Sequence, residues 1–139
     1  MILLDTNVLV YAFDPDAPFC QWAKETIADA VAGDGAAINA VSLAEVCVGD
    51  ADPLTAADRI RSWGVDILDV PAAAADVCAT AYRKYRKRRV SQSDTPVPLM
   101  PLPDFFIGAH AKIMRWELAT ADRGRFHTYF PSVSLKMPP

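Results

Sequence analysis

Cysteine and histidine are scarce in this chain, and their scarcity excludes several kinds of site. Among 139 residues there are three cysteines and two histidines. Cys20, Cys47 and Cys78 are far apart and form no C-x-x-C pair, which argues against a disulfide framework or a structural zinc site. His110 and His127 are too few to build a histidine-rich metal site. A metal bound by this chain would therefore take oxygen ligands.

The sequence also contains no long apolar run. No stretch approaches the roughly 20 apolar residues that a membrane-spanning helix needs, so no membrane partner is expected. The first strand is predicted to start at residue 2, which leaves no room for a secretory signal peptide, and we expect a cytoplasmic protein. Hydrophobic residues make up 52% of the chain and charged residues 22%, as in globular proteins, and residues 1–139 are most simply one domain.

Short apolar runs alternate with segments of helical spacing along the chain. Strands are predicted at residues 2–4, 36–41, 65–70, 117–120 and, on an edge, 133–135. Helices are predicted near Asn7, at 18–32, from Ser42, at 55–63 with Thr55 as the cap, at 71–89 and from Asp104. This alternation predicts an α/β fold whose mostly parallel central sheet of four to five strands carries helices on both faces. The prolines between residues 91 and 103 are expected to prevent regular structure there.

Four acidic residues stand where this topology would bring side chains together. Asp5 and Asp122 follow predicted strands. Glu45 lies in the first turn of the helix after the second strand, and Asp104 begins the helix before the fourth. Each has an ordinary explanation as a helix cap or turn former, and Glu45 could form a capping box with Ser42. Because the carboxyl ends of parallel strands share one edge, where ligands bind, the joint placement favours a site.

This set of carboxylates predicts a cation site. Four converging carboxylates without a balancing lysine or arginine would repel one another, which raises their pKa values or recruits cations. Oxygen ligands without nitrogen or sulfur select Mg²⁺ or Mn²⁺. The sequence therefore predicts a site for Mg²⁺ or Mn²⁺ at the carboxyl edge of the sheet.

Four segments, in this order and spacing, resemble the PIN domain family, and specifically the VapC-type toxins of bacterial toxin–antitoxin pairs. The segments are Leu-Asp-Thr-Asn-Val-Leu at 4–9, Ser-Leu-Ala-Glu at 42–45, Asp-Phe-Phe-Ile-Gly-Ala-His-Ala at 104–111 and Leu-Ala-Thr-Ala-Asp-Arg-Gly-Arg-Phe at 118–126. Any one of them is a weak signal, whereas the ordered set is specific and spans nearly the whole chain. The long proline-rich segment before Asp104 departs from many relatives.

The resemblance implies a metal-dependent endoribonuclease with RNA as its substrate. In that interpretation an activated water cuts the phosphodiester and leaves a 5′-phosphate. The acidic cluster that would hold Mg²⁺ or Mn²⁺ consists of Asp5, Glu45, Asp104 and Asp122. By position, Asp5 and Asp122 are expected to bind metal directly, with the other two completing the shell. The resemblance also implies a homodimer and a cognate protein antitoxin.

Several polar residues beside the acids are candidates for orienting the carboxylates or the phosphate. They are Asn7, Ser42 and Thr120, with Arg123 among the candidate phosphate contacts near the acids, together with Lys112, Arg115 and Arg125. Ser42 could equally be a helix cap, and Thr6 is expected to be only a turn former. Tyr129 and Phe130 could stack on bases but are expected to pack in the core. His110 is expected on a helix surface or at a dimer contact.

A basic run offers a second candidate contact with RNA. The net charge of −3 discourages a nucleic-acid partner at face value, but six of the seven residues from Arg83 to Arg89 are basic. The candidate RNA contacts are Arg83, Lys84, Arg86, Lys87 and Arg88. The alternative is a solvated helix end whose cations complement the helix dipole.

Two other functions stay open on the residues alone. A receiver-like or phosphatase-like phospho-acceptor domain would use Asp5 as its nucleophile. The Asp5-Thr6-Asn7-Val8-Leu9 segment lacks the second aspartate of a D-x-D-x-T phosphatase signature. The other alternative is a catalytically inactive PIN-like binding module, against which the four retained acids argue.

Overall fold

Five strands form one parallel sheet at the centre of the molecule. They are β1 (Ile2–Leu4), β2 (Ala36–Asn39), β3 (Val65–Leu68), β4 (Glu117–Ala119) and β5 (Leu135–Lys136). The computed structural model describes residues 1–91, 102–122 and 124–139. Within these residues the strand order is β3-β2-β1-β4-β5, and each neighbouring pair is parallel. The predicted parallel sheet of four to five strands is confirmed, with the last strand on an edge.

Helices cover both faces of this sheet, as predicted. In the described part of the chain they are α1 (Thr6–Phe13), α2 (Cys20–Ala32), α3 (Ala40–Val48), α4 (Pro53–Ser62), α5 (Ala74–Ser91), α6 (Leu102–Met114) and α7 (Arg125–Tyr129). Successive strand residues point to opposite faces, so Leu3 joins the core cluster under α5, α6 and α7. Leu4 joins the cluster under α1, α2, α3 and α4. None of the helices in the described residues is long and apolar enough to cross a bilayer.

The strand order creates a crevice beside the first strand. From β1 the chain builds outward to β2 and β3, then returns to the other side of β1 to add β4 and β5. The point where the direction of building reverses therefore lies between β1 and β4. In open α/β sheets a ligand crevice forms at such a point, outside the carboxyl ends of the strands. Asp5 directly follows β1, and Thr120 directly follows β4.

Three helices begin earlier than predicted. Helix α3 starts at Ala40 because Asn39, not Ser42, is its cap: the Asn39 side-chain oxygen accepts a hydrogen bond of 3.0 Å from the Ser42 backbone N–H. Helix α4 starts at Pro53, since proline suits the first turn, where its missing N–H is not needed. Thr55 is therefore not the cap of that helix.

Helix α6 begins at Leu102, so Asp104 lies within its first turn and does not open it. Pro103 sits in the same turn, and the expectation of no regular structure there is wrong at this residue. Pro96, Pro98 and Pro101 lie outside the described residues. The short helix α7 was not predicted.

The aromatic residues after β4 pack in the core, as expected for Phe130. Its side chain is 1% exposed and lies against Gly108 of α6. A Cβ atom at position 108 would come within 2.4 Å of the Phe130 ring, so only glycine allows this close approach. The expectation for His110 is wrong. It is 1% exposed, and its Nδ1 atom lies 3.2 Å from the side-chain nitrogen of Asn39.

Candidate active site

Asp5 is buried at the end of β1 and is held by neutral donors. Its side chain caps α1, with Oδ1 accepting a hydrogen bond of 2.8 Å from the Thr6 backbone N–H. Its Oδ2 accepts from the Thr120 hydroxyl at 2.8 Å and from the Asn7 side-chain amide at 2.9 Å. The residue is only 4% exposed. Both carboxylate oxygens are thus fixed by groups that carry no charge.

Asn7 and Thr120 also tie the end of β1 to the end of β4. The Asn7 side-chain oxygen accepts a hydrogen bond of 3.1 Å from the Ala121 backbone N–H. The Thr120 hydroxyl, which donates to Asp5, accepts from the Asp122 backbone N–H at 3.1 Å. These two side chains therefore lie beside the acids, as the sequence predicted, and they set the position of the backbone at Asp122.

Glu45 reaches the same region from α3, but not as part of a capping box. Its Oε1 accepts a hydrogen bond of 2.7 Å from the Thr6 hydroxyl. The capping box with Ser42 is wrong because Asn39 occupies the cap. The expectation that Thr6 is only a turn former is also wrong, since its side chain positions an acid.

Asp104 and Asp122 share one cation. Arg125 Nη1 donates to Asp104 Oδ2 at 3.0 Å, and Arg125 Nε lies 2.8 Å from Asp122 Oδ2. We call this arrangement the Arg125 bridge. The condition of acids without a balancing lysine or arginine is therefore not met, because Arg125, the first residue of α7, contacts two of them. Arg123, another candidate cation, lies outside the described residues.

Charges of neighbouring acids contribute to the raised pKa values of Asp5 and Asp104. Burial, with contributions from the Asp104 and Glu45 charges, raises the pKa of Asp5 from 3.8 to about 7, although hydrogen bonds from Thr120 and Thr6 oppose the rise. Burial also raises the pKa of Asp104 from 3.8 to about 6, with Arg125 opposing and the Glu45 and Asp122 charges adding to it. We call Asp5, Glu45, Asp104 and Asp122 the carboxylate cluster.

The donor chemistry of this cluster fits a hard divalent cation, although the side chains are not preset around one. Carboxylates are the ligands that Mg²⁺ and Mn²⁺ prefer, and positive charge at this point would relieve their repulsion. Within residues 1–91, 102–122 and 124–139, however, no three His, Cys, Asp or Glu side chains are arranged to hold a metal ion. In the described residues, Arg125 holds one oxygen each of Asp104 and Asp122.

Ser42 does not make the contact that was expected of it. Its side chain is fully buried in α3, and its hydroxyl oxygen has no hydrogen-bond partner among the residues that the structure describes. An orienting role towards a carboxylate or a phosphate therefore stays a prediction for Ser42.

The basic run divides between two surfaces of α5. Arg83, Arg86 and Lys87 line a shallow groove of about 410 Å³ together with Val90, which we call the basic groove. Lys84 lines a different cavity with residues that include Lys112 and Tyr129. Tyr85, between them, is 1% exposed and packs in the core as predicted. Arg88 is exposed near the end of the helix. An RNA contact at these residues stays a prediction.

The fold and the cluster define an α/β protein with acidic side chains at the crevice of a parallel sheet. The chain belongs to the PIN domain family, whose model matches residues 2–130. No curated protein shows a significant sequence match.

Solved structures of toxin–antitoxin complexes and of a toxin share the fold. A chain of VapBC2 from Rickettsia felis, bound to a DNA fragment of its promoter, has a TM-score of 0.67 at 23% identity, with all of both chains covered. A toxin–antitoxin complex from Klebsiella pneumoniae has a TM-score of 0.63 at 22% identity, covering 96% of this chain and 95% of that one. VapC20 of Mycobacterium tuberculosis, a toxin that cleaves the sarcin–ricin loop, has a TM-score of 0.66 at 17% identity, covering 92% and 94%. The VapC-like fold that the motifs predicted is confirmed.

Proposed function

We propose that this chain is an endoribonuclease that depends on Mg²⁺ or Mn²⁺ and acts as the toxin of a toxin–antitoxin pair. The observation that carries the proposal is the convergence of the carboxylate cluster. Its members come from the end of β1, from α3, from α6 and from beyond β4, yet they meet at the crevice of the sheet. Burying mutually repelling acids is unfavourable unless a ligand uses them, so perturbed acids in a cleft mark a functional site.

In this proposal Asp5, Glu45, Asp104 and Asp122 hold the divalent cation. When bound, such a cation lowers the pKa of a water and stabilises negative charge on a phosphodiester. The protein's part is positional. Asn7 and Thr120 hold Asp5 against the end of β4, and Thr6 orients Glu45. We retain Ser42 and Arg123 as candidates for substrate or outer contacts.

The basic groove is the proposed path for the RNA backbone. Exposed arginine and lysine side chains attract phosphates without reading the sequence, which suits a substrate that is bound chiefly through its backbone. Arg83, Arg86 and Lys87 line the groove, while Lys84 and Arg88 lie on neighbouring parts of the helix surface.

The proposed partners are a cognate protein antitoxin and a second copy of this chain, in the cytoplasm. Several structures with this fold come from toxin–antitoxin complexes, which supports an antitoxin partner for this chain as well. An antitoxin side chain with a positive charge could pair with the carboxylate cluster, since charge-assisted bonds between arginine and carboxylate are among the strongest available.

Cleavage of total RNA tests this function directly. The purified chain is incubated with Mg²⁺, with Mn²⁺ or with EDTA, and the new 5′ ends are mapped. Cuts that require metal and leave 5′-phosphates support the proposal. The Asp5→Asn variant must lose them, whereas Asp58→Asn, which changes an exposed acid of α4, must keep them.

The same preparations separate the alternatives. A phospho-acceptor domain would take up phosphate covalently at Asp5 from a small acyl phosphate and would not cut RNA. An inactive binding module would bind RNA without cutting it under any metal condition. Either result would contradict the proposed function.

A further inference from the structure

Arg125 is the only cation seen to contact the carboxylate cluster within the residues that the structure describes. Its guanidinium forms ion pairs with Oδ2 of Asp104, in α6, and with Oδ2 of Asp122, which lies beyond β4. A pair with Asp122 alone would be an ordinary contact between residues three apart. The contact with Asp104 of α6 spans 21 residues and crosses the site.

The residue before Arg125 is a glycine with an unusual backbone conformation. Gly124 has a φ of +103°, a left-handed conformation that residues with a Cβ rarely adopt. Arg125 directly follows Gly124 as the first residue of α7, and its side chain contacts the acids. The Arg125 side chain is 41% exposed, compared with 10% for Asp104 and 30% for Asp122. It therefore has open solvent on one side and the acids on the other.

From this geometry we propose that Arg125 is a displaceable counter-ion, which holds Asp104 and Asp122 in the metal-free chain and competes with a divalent cation for them. The inference rests on the proposed function, because it concerns the same site. It adds a residue that lowers the site's affinity for metal and makes metal binding depend on a movement of one side chain.

Two features of Arg125 lead to this competition: its positive charge and its contacts with carboxylate oxygens. Each carboxylate in the bridge gives one oxygen to the guanidinium, which leaves fewer oxygens for a metal. Even if a metal used only the other oxygens, a positive guanidinium a few ångströms away would repel it. Because Arg125 is partly exposed, it can exchange its carboxylate contacts for water, so the repulsion can be relieved by movement without unfolding.

Binding of Mn²⁺ in the absence of RNA tests the proposal without any measurement of cleavage. The affinity is measured by calorimetry and by the electron paramagnetic resonance signal of free Mn²⁺. Arg125→Gln removes the charge, and we expect it to bind Mn²⁺ about tenfold more tightly than the natural chain, an estimate reduced for solvent screening. Arg125→Lys keeps the charge without the two-pronged geometry and should lie between them.

Arg61→Gln is the matched control. It removes the same charge from an exposed pair with Asp58 on α4, and its Mn²⁺ affinity should equal that of the natural chain. Circular dichroism and thermal unfolding in EDTA establish that each variant is folded.

A second measurement follows the side chain itself. In ¹⁵N-labelled protein, the Arg125 Nε–H signal is assigned by its loss in Arg125→Gln. Saturating Mg²⁺, which is not paramagnetic, should move that signal to the position of solvent-exposed arginines. An Arg125 signal unchanged at saturating Mg²⁺, or a Mn²⁺ affinity that is unchanged or weaker in Arg125→Gln, would overturn the inference while leaving the metal site intact. Failure of all the proteins to bind Mn²⁺ would overturn the proposed metal dependence as well.

Discussion

The two halves of the carboxylate cluster are held in different ways. Asp5 and Glu45 accept hydrogen bonds only from neutral groups in the described residues, chiefly the hydroxyls of Thr6 and Thr120. Asp104 and Asp122 instead share the charged guanidinium of Arg125. One half is oriented without charge compensation, and the other is compensated by a side chain that reaches solvent.

The two halves differ in whether the carboxylates are only oriented or are also compensated in charge. Burial is the main reason that the pKa of Asp5 rises to about 7, and only hydrogen bonds from neutral groups, those of Thr120 and Thr6, oppose the rise. Burial raises the pKa of Asp104 to about 6, and the charges of Glu45 and Asp122 add to this rise. The positive charge of Arg125 opposes it. If the proposed metal site is correct, Asp5 and Glu45 already have fixed orientations, whereas Asp104 and Asp122 must exchange their contacts with Arg125 to receive an ion.

The largest effect is expected when Asp5, whose hydrogen-bond donors are neutral, loses its negative charge. In Asp5→Asn the cluster keeps its shape but lacks its most buried negative charge, and RNA cleavage should fall about a thousandfold, since charge stabilisation by a bound metal is worth several kcal/mol. Single-turnover cleavage of a defined RNA at saturating Mn²⁺ measures the change. Cleavage by Asp5→Asn within tenfold of the natural rate would contradict an essential role for Asp5.

The same substitution should stabilise the metal-free protein at neutral pH. The pKa of Asp5 is higher in the folded chain than the ordinary value of 3.8, so between these values the folded state holds more protons than the unfolded state. The contribution of Asp5 to the free energy of unfolding of the natural chain therefore falls as the pH rises from about 4 to about 7. Because asparagine does not titrate, Asp5→Asn does not lose this part of the free energy of unfolding. After allowing for imperfect hydrogen bonds to Thr120 and Asn7, it should gain on the order of 1–3 kcal/mol at pH 8.

Urea unfolding in EDTA between pH 4 and pH 8 measures that gain. The advantage of Asp5→Asn should shrink as the pH falls and vanish below about pH 4, where the natural Asp5 is protonated in both states. Asp104→Asn, which also leaves Arg125 without one of its partners, should gain less. A larger gain for Asp104→Asn than for Asp5→Asn would reverse the comparison between the two halves.

Removing the tie between β1 and β4 should have a moderate effect. Asn7→Ala deletes the side chain that donates to Asp5 and accepts from the Ala121 backbone N–H. We expect a loss of about 1–2 kcal/mol in the free energy of unfolding, because a partly buried N–H loses its partner. We also expect Mn²⁺ affinity to weaken about tenfold, since Asp5 becomes free to turn.

Thr6→Val provides the comparison within the same half. It removes only the hydroxyl that donates to Glu45, and valine preserves the shape of the side chain. Its Mn²⁺ affinity should change less than that of Asn7→Ala, as measured by the same calorimetric titration. Equal or greater weakening in Thr6→Val would mean that Glu45, not Asp5, is the carboxylate whose orientation matters more.

Residue patterns were sufficient to predict the sheet and the positions of the acids along the chain. Asp5 and Asp122 both follow short apolar runs that are typical of strands, and a parallel sheet places the carboxyl ends of its strands on one edge. The pattern misses the cap of α3 because Asn39 belongs to a run typical of a strand, which makes Ser42 the first cap candidate. A polar residue such as Asn39 can be both the last residue of a strand and the cap of the next helix. A pattern of apolar residues does not distinguish these two roles.

The Arg125 bridge was beyond prediction from local patterns. The sequence makes Arg125 only one of several candidate phosphate contacts, and its role depends on the short helix α7, which has five residues and no side-chain cap. The signal that could have revealed it is the glycine at position 124 immediately before Arg125, which permits the left-handed turn. Which acid the arginine then reaches is decided by tertiary packing of α6 against the sheet.

The smallest effect is expected at the basic groove, outside the cluster. Replacing Arg83, Arg86 and Lys87 together with glutamine should weaken RNA binding by roughly three- to tenfold at moderate salt and leave the single-turnover rate at saturating protein unchanged. The salt dependence of the affinity should also become shallower, by up to about 0.7 in slope for each phosphate that the variant no longer neutralises. Arg61→Gln, which removes an exposed positive charge from α4, is the control. An unchanged salt slope in the triple variant would indicate that this basic run is a solvated helix face. Any RNA contact would then lie on other surfaces of the chain.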